Sequence, residues 1–231
     1  MTSKNILVLA FCFVSLLTAC SSNTETTNLS ISEFEKAISK NNIQLLDVRT
    51  NEEYQSGHLG NALLADWNNR EEFKTRVAAL DKNKPVYTYC LSGARSEMAT
   101  EWLRENGFTA FNLAGGTNAW KRAGRQLEEA AIVRQITLAE YLVQIPTNET
   151  VLVDFSAVWC PPCKVMAPVI DSLVATHGTK FELVKIDGGQ QTAICSELNV
   201  TAFPTFIMYR QGKEIWRKEG LVDAKEFIAN F

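Results

Sequence analysis

The stretch Val151-Leu-Val-Asp-Phe-Ser156, followed closely by Trp159-Cys-Pro-Pro-Cys-Lys164, decides the fold of the second half of this chain. The first segment is a short apolar run that predicts a buried strand, and the second predicts a helix that opens at the Cys160–Cys163 turn. A sulfur at a helix N-terminus is favoured as a thiolate, and a second cysteine one turn later is close enough to form a small disulfide. The pattern predicts reversible two-electron exchange, with a structural disulfide or half of a zinc site as the alternatives.

A second reactive cysteine is predicted in the stretch Cys90-Leu-Ser-Gly-Ala-Arg-Ser96. It lies between the predicted strand Pro85–Tyr89 and the predicted helix Ser96–Asn106, so the loop amides and the helix N-terminus can form an anion cradle. A thiol in that position has a lowered pKa, and Arg95 can hold an oxyanion through two hydrogen bonds. Such a loop suits a cysteine that accepts sulfur and stabilises the persulfide anion. A buried core cysteine after a strand is the alternative.

Composition narrows the classes of protein. The 231 residues are 46% hydrophobic and 21% charged, which excludes a disordered chain, a collagen and a coiled coil. The net charge of −3 leaves no basic stripe for phosphates, so nucleic acid is not an expected partner. The six cysteines are too sparse for a disulfide-stapled scaffold. No second C-x-x-C pair or histidine cluster accompanies them, so the sequence predicts no metal site.

Apolar runs alternate with helical patterns in two blocks, which predicts an α/β protein of two domains. The alternation breaks around Ala123–Ala131, where Gly124 and charged residues interrupt it. We therefore place a first domain at 29–125, a linker at 126–131 and a second domain at 132–231.

The first domain resembles the rhodaneses, a family of sulfurtransferases. The resemblance rests on the Cys90 loop, on Leu46-Asp-Val-Arg49 with Glu53-Tyr54 and Gly57-His-Leu59, and on Leu113-Ala-Gly-Gly116. It implies a parallel-sheet α/β domain in which Cys90 and Arg95 are catalytic. The other loop residues would then bind the substrate: Leu91, Ser92, Gly93, Ala94 and Ser96. Four residues separate Cys90 from Arg95, one fewer than in related phosphatase loops, and the shorter loop favours sulfur over phosphate.

The second domain resembles thioredoxin, which implies a central mixed sheet flanked by helices and a redox-active disulfide between Cys160 and Cys163. Asp154 then matches the buried proton acceptor for the second thiol, with a pKa raised by burial. Phe203-Pro204 matches the cis-proline loop, which with Trp159 would contact the partner. Two departures from the family are Pro161-Pro162 between the cysteines and Leu183 at the place of a frequent lysine, with Lys185 one alternation further along the same face.

Three further groups receive structural interpretations. Asp47 and Arg49 predict an ion pair near the Cys90 loop, with substrate contact as the alternative. His58 is interpreted as holding a turn, with a catalytic role as the alternative. Cys195 lies in a helical pattern and is predicted to be a partly buried bystander, with a redox relay as the alternative.

The amino terminus has the pattern of an export signal: one lysine, then a 14-residue apolar run from Ile6 to Ala19, too short to cross a membrane. Leu17-Thr-Ala-Cys20 resembles the lipobox of bacterial lipoproteins, which implies a signal peptide at 1–19, lipidation of Cys20 and a polar tether over 20–28. Ser21 resembles the signal for outer-membrane sorting. A plain signal peptide with a chance cysteine is the alternative.

Together these features predict a lipid-anchored protein of the bacterial envelope that faces the periplasm. Cys90 would take sulfane sulfur from thiosulfate or a polysulfide, and the Cys160–Cys163 dithiol would reduce the persulfide or exchange disulfides with protein partners. No cofactor is expected, and electrons would come from a membrane thiol carrier. Two alternatives remain: a disulfide oxidoreductase whose first domain only docks partners, and a non-enzymatic adaptor.

Overall fold

A computed structural model describes residues 27–129, 131 and 133–231. The predicted signal peptide and the predicted lipidation site, Cys20, lie outside the described residues. Two domains follow one another, each built around one sheet, and they confirm the predicted α/β class. No helix among the described residues combines the length and the apolarity needed to cross a membrane.

The first domain has a five-stranded sheet in the order β1-β5-β4-β2-β3, and every pairing in it is parallel. Its strands are β1 (Asn28–Leu29), β2 (Gln44–Asp47), β3 (Leu63–Leu64), β4 (Val86–Tyr89) and β5 (Ala110–Leu113). Its helices are α1 (Ile31–Ile38), α2 (Asn51–Gln55), α3 (Arg70–Val77), α4 (Ala94–Glu105) and α5 (Gly116–Arg122). Parallel strands place their carboxyl ends at one edge of the sheet, which is where the Cys90 loop emerges.

The second domain has a four-stranded mixed sheet in the order β7-β6-β8-β9. Its helices and strands are α6 (Leu138–Val143), β6 (Thr150–Ser156), α7 (Pro161–His177), β7 (Glu182–Asp187), α8 (Thr192–Glu197), β8 (Thr205–Arg210), β9 (Lys213–Glu219) and α9 (Ala224–Ile228). Strand β7 runs parallel to β6, whereas β8 is antiparallel to it.

Strand β6 divides the core of the second domain because its side chains alternate between the two faces of the sheet. Val151, Val153 and Phe155 pack in one apolar cluster, and Leu152 packs in the other with Met166 of α7. Asp154 shares the face of Leu152, so the strand directs this carboxyl toward the helix that begins at the C-x-x-C turn.

The linker is held against the first domain before the second begins. His58 and Glu128 exchange both backbone hydrogen bonds, at 2.9 and 2.8 Å, as an isolated antiparallel bridge. The His58 ring stacks on Tyr54 with centroids 3.8 Å apart, and its Nδ1 lies 3.1 Å from the Tyr54 carbonyl oxygen. These contacts give His58 a structural place at the turn.

Candidate active site

The Cys90 loop joins β4 to α4 at the carboxyl edge of the first sheet. Cys90 is fully buried, and the backbone N–H of Gly93 donates to its Sγ at 3.2 Å. Gly93 has a φ of +96°, a conformation that glycine adopts readily and other residues rarely do. That backbone directs the Gly93 amide at the sulfur while α4 begins at the next residue.

A second glycine turn supports the loop from below. A Cβ at Gly93 would lie 2.9 Å from the backbone nitrogen of Gly115, and a Cβ at Gly116 would collide with the carbonyl oxygen of Cys90. The amide of Thr117 donates to that carbonyl at 2.8 Å. Both loops can therefore approach only because these positions lack side chains.

The surroundings of Cys90 favour its thiolate. Burial alone would raise the pKa of the thiol, but hydrogen bonds from the Ser96 side chain and from the backbone amides of Ser96, Ser92 and Gly93 outweigh it, and the pKa is lowered. The structure thus brings the predicted cradle residues around one sulfur. Leu91, Ser92 and Ala94 are exposed on the outside of the loop, whereas Gly93 and Ser96 are buried beneath it.

Arg95 is held by a carboxylate that the sequence alone did not assign to it. Its two terminal nitrogens donate to the two oxygens of Glu53 at 2.7 and 2.6 Å. The pair keeps the pKa of Glu53 low, chiefly through the Arg95 hydrogen bonds. Arg95 also interacts with Cys90. An incoming oxyanion would therefore compete with Glu53 for a guanidinium already directed at the loop.

The predicted Asp47–Arg49 ion pair forms at 2.6 Å with both side chains buried. Arg49 Nη2 also donates to the carbonyl oxygen of Gly57 at 2.8 Å. Both groups are occupied by contacts that fix the end of β2, which supports the structural interpretation.

A disulfide joins Cys160 to Cys163 at the start of α7. Cys160 is the N-cap of the helix, and its Sγ accepts the backbone N–H of Cys163 at 3.2 Å. Pro161 occupies the first helical position, where its missing N–H costs nothing. The helix N-terminus therefore faces the Cys160 sulfur, as the sequence predicted.

Asp154 lies on β6 with 7% of its surface exposed, and its Oδ1 accepts no hydrogen bond from the residues that the structure describes. Burial raises the pKa of this carboxyl to about 6. Lys185 pairs with Asp154 in the register of β6 and β7 and opposes that rise. Its ammonium lies 3.7 Å from Asp171, which draws it toward α7. Lys185 thus supplies the positive charge that Leu183 cannot.

The Phe203–Pro204 peptide is cis and lies against the disulfide. The carbonyl oxygen of Phe203 is 3.4 Å from the Sγ of Cys160, and the Phe203 ring is 5.8 Å from that of Trp159 between centroids. The structure therefore gathers the residues of the second predicted site at one end of the domain.

The first domain covers this site. The exposed fractions of Trp159, Cys160 and Cys163 are only 3%, 0% and 8%. The backbone N–H of Leu64, the last residue of β3, donates to the carbonyl oxygen of Trp159 at 2.9 Å. No sequence pattern indicates this contact, because an edge strand and a loop nearly a hundred residues apart share no periodicity.

Cys195 is buried in an apolar cluster against which Phe203 packs, with its Sγ 3.7 Å from the Gly188 carbonyl oxygen. Burial, reinforced by Asp187, raises the pKa of this thiol to about 11, so it is protonated near neutral pH. Within the described ranges, no group of three His, Cys, Asp or Glu side chains is arranged to hold a metal ion.

Family comparisons agree with this geometry. The rhodanese-like domain model matches residues 30–123, and the thioredoxin model matches residues 132–231. A thioredoxin-like protein of Synechocystis sp. is 36% identical over 39% of this chain and 84% of its own length. Chloroplastic thioredoxin Y of Oryza sativa is 39% identical over 36% of this chain, which spans about half (49%) of that relative.

A solved rhodanese-like domain protein from Staphylococcus aureus is 30% identical, covering 46% of this chain and all (100%) of that one, with a TM-score of 0.40. The two family models match the two halves of the sequence, in the order in which their sites occur. The chain belongs to the thioredoxin family through its second domain and carries a rhodanese-like domain before it.

Proposed function

We propose that this protein carries sulfane sulfur on Cys90 and reduces the resulting persulfide with the Cys160–Cys163 dithiol, releasing sulfide. The observation that supports the proposal is that the two sulfurs have the same local structure. Each lies at a helix N-terminus, and each accepts the backbone N–H of the residue three positions later. Both cysteines are therefore prepared to act as thiolates.

The proposed chemistry balances in three displacements. The Cys90 thiolate attacks the outer sulfur of thiosulfate, forms an S–S bond and expels sulfite. The Cys160 thiolate then attacks that outer sulfur and releases the Cys90 thiolate. Finally the Cys163 thiolate attacks Cys160 Sγ, closes the disulfide and expels hydrosulfide, so two electrons pass from the dithiol to the transferred sulfur.

The placement of the two loops supports a reaction within one chain. Leu64 of β3, which contacts Trp159, and Tyr89 of β4, which precedes Cys90, both pair with Asp47 of β2. Two strand spacings, roughly 10 Å, therefore separate Leu64 from the end of β4. The Trp159 carbonyl adds one further spacing beyond Leu64. Both loops thus lie at the same level of one sheet, but Cys90 packs in the apolar cluster on one face and Cys160 in the cluster on the other. The domains would have to reorient for the two sulfurs to meet.

Asp154 supports the dithiol role. A buried carboxyl with a pKa near 6 can accept the proton of Cys163 when the second thiol attacks, because its charged form is already disfavoured. Trp159, Phe203 and Pro204 would contact the sulfur carrier or a partner protein.

We place this activity in the bacterial envelope. The lipobox-like sequence ending at Cys20 supports an anchor on the outer membrane, facing the periplasm, with residues 20–28 as a tether. Re-reduction of the disulfide there would require a membrane thiol carrier. Palmitate labelling of the wild-type protein and of Cys20→Ala in a bacterial host tests the anchor, and equal labelling of both would contradict it.

The sulfur relay is tested by sulfide release from thiosulfate under a chemical dithiol reductant. We expect Cys90→Ser to abolish release and Cys195→Ser to leave it intact, as the matched change at the other buried free cysteine of the described residues. Persulfide on the Cys90 peptide should be visible by mass spectrometry after thiosulfate treatment. Undiminished sulfide release by Cys90→Ser would refute the relay.

A second candidate is a disulfide oxidoreductase in which the first domain only docks. The coverage of Trp159 by Leu64 favours it, since docking alone would produce that contact. Insulin reduction separates the two functions. The second candidate predicts that Cys160→Ser abolishes insulin reduction, that Cys90→Ser has no effect, and that thiosulfate yields no sulfide.

A further inference from the structure

The face of the thioredoxin domain that presents Cys160 is occupied by another part of the same chain. This disulfide face comprises Trp159, Cys160 and Gly189. Any protein that exchanges disulfides here must bring a sulfur into line with Cys160 Sγ, yet Cys160 has no exposed surface. The covering residues define a docking face on the first domain: Tyr54, Gln55, Leu64 and Arg76.

Two hydrogen bonds cross between the faces. Leu64 N–H donates to the Trp159 carbonyl oxygen at 2.9 Å, and Gln55 Nε2 donates to the Gly189 carbonyl oxygen at 3.1 Å. In the first bond, a backbone amide of the edge strand β3 pairs with a carbonyl group of the Trp159 loop, as an edge strand pairs with an added peptide. The docking face therefore satisfies two backbone carbonyl groups of the disulfide face.

Aromatic contacts complete the docking. The Tyr54 and Trp159 rings meet edge-to-face with centroids 6.1 Å apart. The guanidinium of Arg76 lies 4.6 Å from the Trp159 centroid while its Nη1 holds the Leu64 carbonyl oxygen at 3.1 Å. The Arg76 side chain is 9% exposed and paired with Glu72. A cation this well desolvated interacts more strongly with an indole face than an exposed one does.

Helix α2 joins the docking face to the Cys90 cradle through three successive residues. Glu53 holds Arg95, Tyr54 packs on Trp159, and Gln55 bonds Gly189. The two sites therefore share one short element of secondary structure.

We infer that the docking face of the rhodanese-like domain is the resident occupant of the disulfide face in the oxidised protein, and that an external protein thiol reaches Cys160 only by displacing it. The occupant is thus a named segment of this chain, with backbone pairing, an aromatic contact and a buried cation as its means of binding. The inference does not depend on sulfur transfer at Cys90.

Two neighbouring amides test the docking directly. Leu64 N–H bonds across the domains, whereas Ala65 N–H bonds to Asp47 within the first domain at 2.9 Å. Hydrogen exchange followed by NMR on the oxidised full chain should show both amides protected. Gln55→Ala should accelerate exchange at Leu64 about fivefold, the effect of losing one neutral hydrogen bond, and leave Ala65 unchanged.

A matched pair of arginines extends the test without removing a charge. Arg76→Lys replaces the guanidinium on Trp159, whereas Arg70→Lys replaces one that lies 3.2 Å from the Trp67 centroid within the first domain. We expect Arg76→Lys to accelerate exchange at Leu64 and Arg70→Lys to leave it unchanged. Unprotected Leu64 in the wild-type protein, or equal exchange in both variants, would overturn the docking.

Reduction kinetics test its consequence for partners. The oxidised chain is reduced either by a reduced single-domain thioredoxin or by a small phosphine, and loss of the disulfide is followed by thiol counting. Gln55→Ala should raise the thioredoxin-driven rate several-fold relative to the phosphine-driven rate, because only the protein must displace the docking face. An unchanged ratio of the two rates would show that the face does not restrict access.

Discussion

The two cysteine loops hold their sulfurs in the same way, and the difference with the largest chemical consequence lies three residues after the sulfur. Both sulfurs lie between a strand and a helix and accept the amide three residues later at 3.2 Å. After Cys90 that residue is Gly93, and a side chain there would press on Gly115. After Cys160 that residue is Cys163, which closes a disulfide. The residue three positions after the cysteine therefore decides whether the sulfur forms a disulfide within its own loop or bonds a sulfur from another molecule or domain.

The largest effect is expected when the sulfur of Cys160 is removed. We expect Cys160→Ser to lower insulin reduction by about 1000-fold or more, since the attacking atom is lost. Transfer of sulfur from thiosulfate to cyanide should survive in that variant, because the Cys90 loop is intact. Loss of cyanide-linked transfer in Cys160→Ser would show that the loops do not act as separate nucleophiles.

The need for glycine at position 93 is tested by Gly93→Ala, with Gly124→Ala as its control. Both glycines have positive φ, at +96° and +77°, but a Cβ at Gly124 meets nothing within 4 Å. We expect Gly124→Ala to cost about 1 kcal/mol of unfolding free energy and Gly93→Ala about 3 kcal/mol, with loss of sulfurtransferase activity. Urea unfolding measures both, and equal costs would remove the close approach of Gly115 from the explanation.

Asp154→Asn changes a buried carboxyl on the strand that leads to the disulfide. The pKa of Asp154 is about 6 when folded and its ordinary value is 3.8, so the unfolded chain binds fewer protons between these values and stability falls as pH rises. The variant should gain about 3 kcal/mol at pH 7.5 and almost nothing near pH 3, which is below both pKa values. Insulin reduction should slow. A gain that is equal at both pH values would contradict the assignment.

A smaller effect is expected from Ser96→Ala. The Ser96 side chain helps to lower the pKa of Cys90, so the variant should raise that pKa and slow alkylation of Cys90 near neutral pH. Ser92 contributes through its backbone amide, and Ser92→Ala should leave the pKa unchanged. The pH dependence of iodoacetamide labelling gives both values, and equal shifts in the two variants would count against the side-chain contribution.

The smallest effect belongs to Cys195→Ser. With a pKa of about 11, the Cys195 thiol is protonated at pH 8 and should resist alkylation in the folded protein. Neither insulin reduction nor sulfide release should change. Mixed disulfides formed at Cys195 during turnover would revive the alternative of a redox relay.

Both cysteine loops could be predicted from local sequence, because each is formed by residues only a few positions apart. The strand before Cys90, the glycine at 93 and the helix after it are all contiguous, and so is the turn from Cys160 to Cys163. Strand alternation placed Lys185 on the face of Asp154, and the β6–β7 register then put the two residues side by side.

Contacts between elements that are distant in the chain could not be predicted from the sequence. Glu53 was part of a recognised signature, but nothing in its spacing to Arg95, 42 positions away, indicated an ion pair. The Leu64–Trp159 bond depends on the register at which one sheet edge meets a loop of another domain. Side-chain pattern specifies which face of a strand is buried, not which foreign backbone group will pair with its edge.

The strand order of the first sheet has a consequence for how the protein is oriented by whatever holds its amino terminus. Strand β1, which begins at Asn28, forms one edge of the sheet, and β3, which contacts Trp159, forms the other. Four strand spacings, roughly 19 Å, therefore separate the two attachments. If the chain is held at Asn28, the width of the sheet separates that point from the edge strand that contacts the thioredoxin domain.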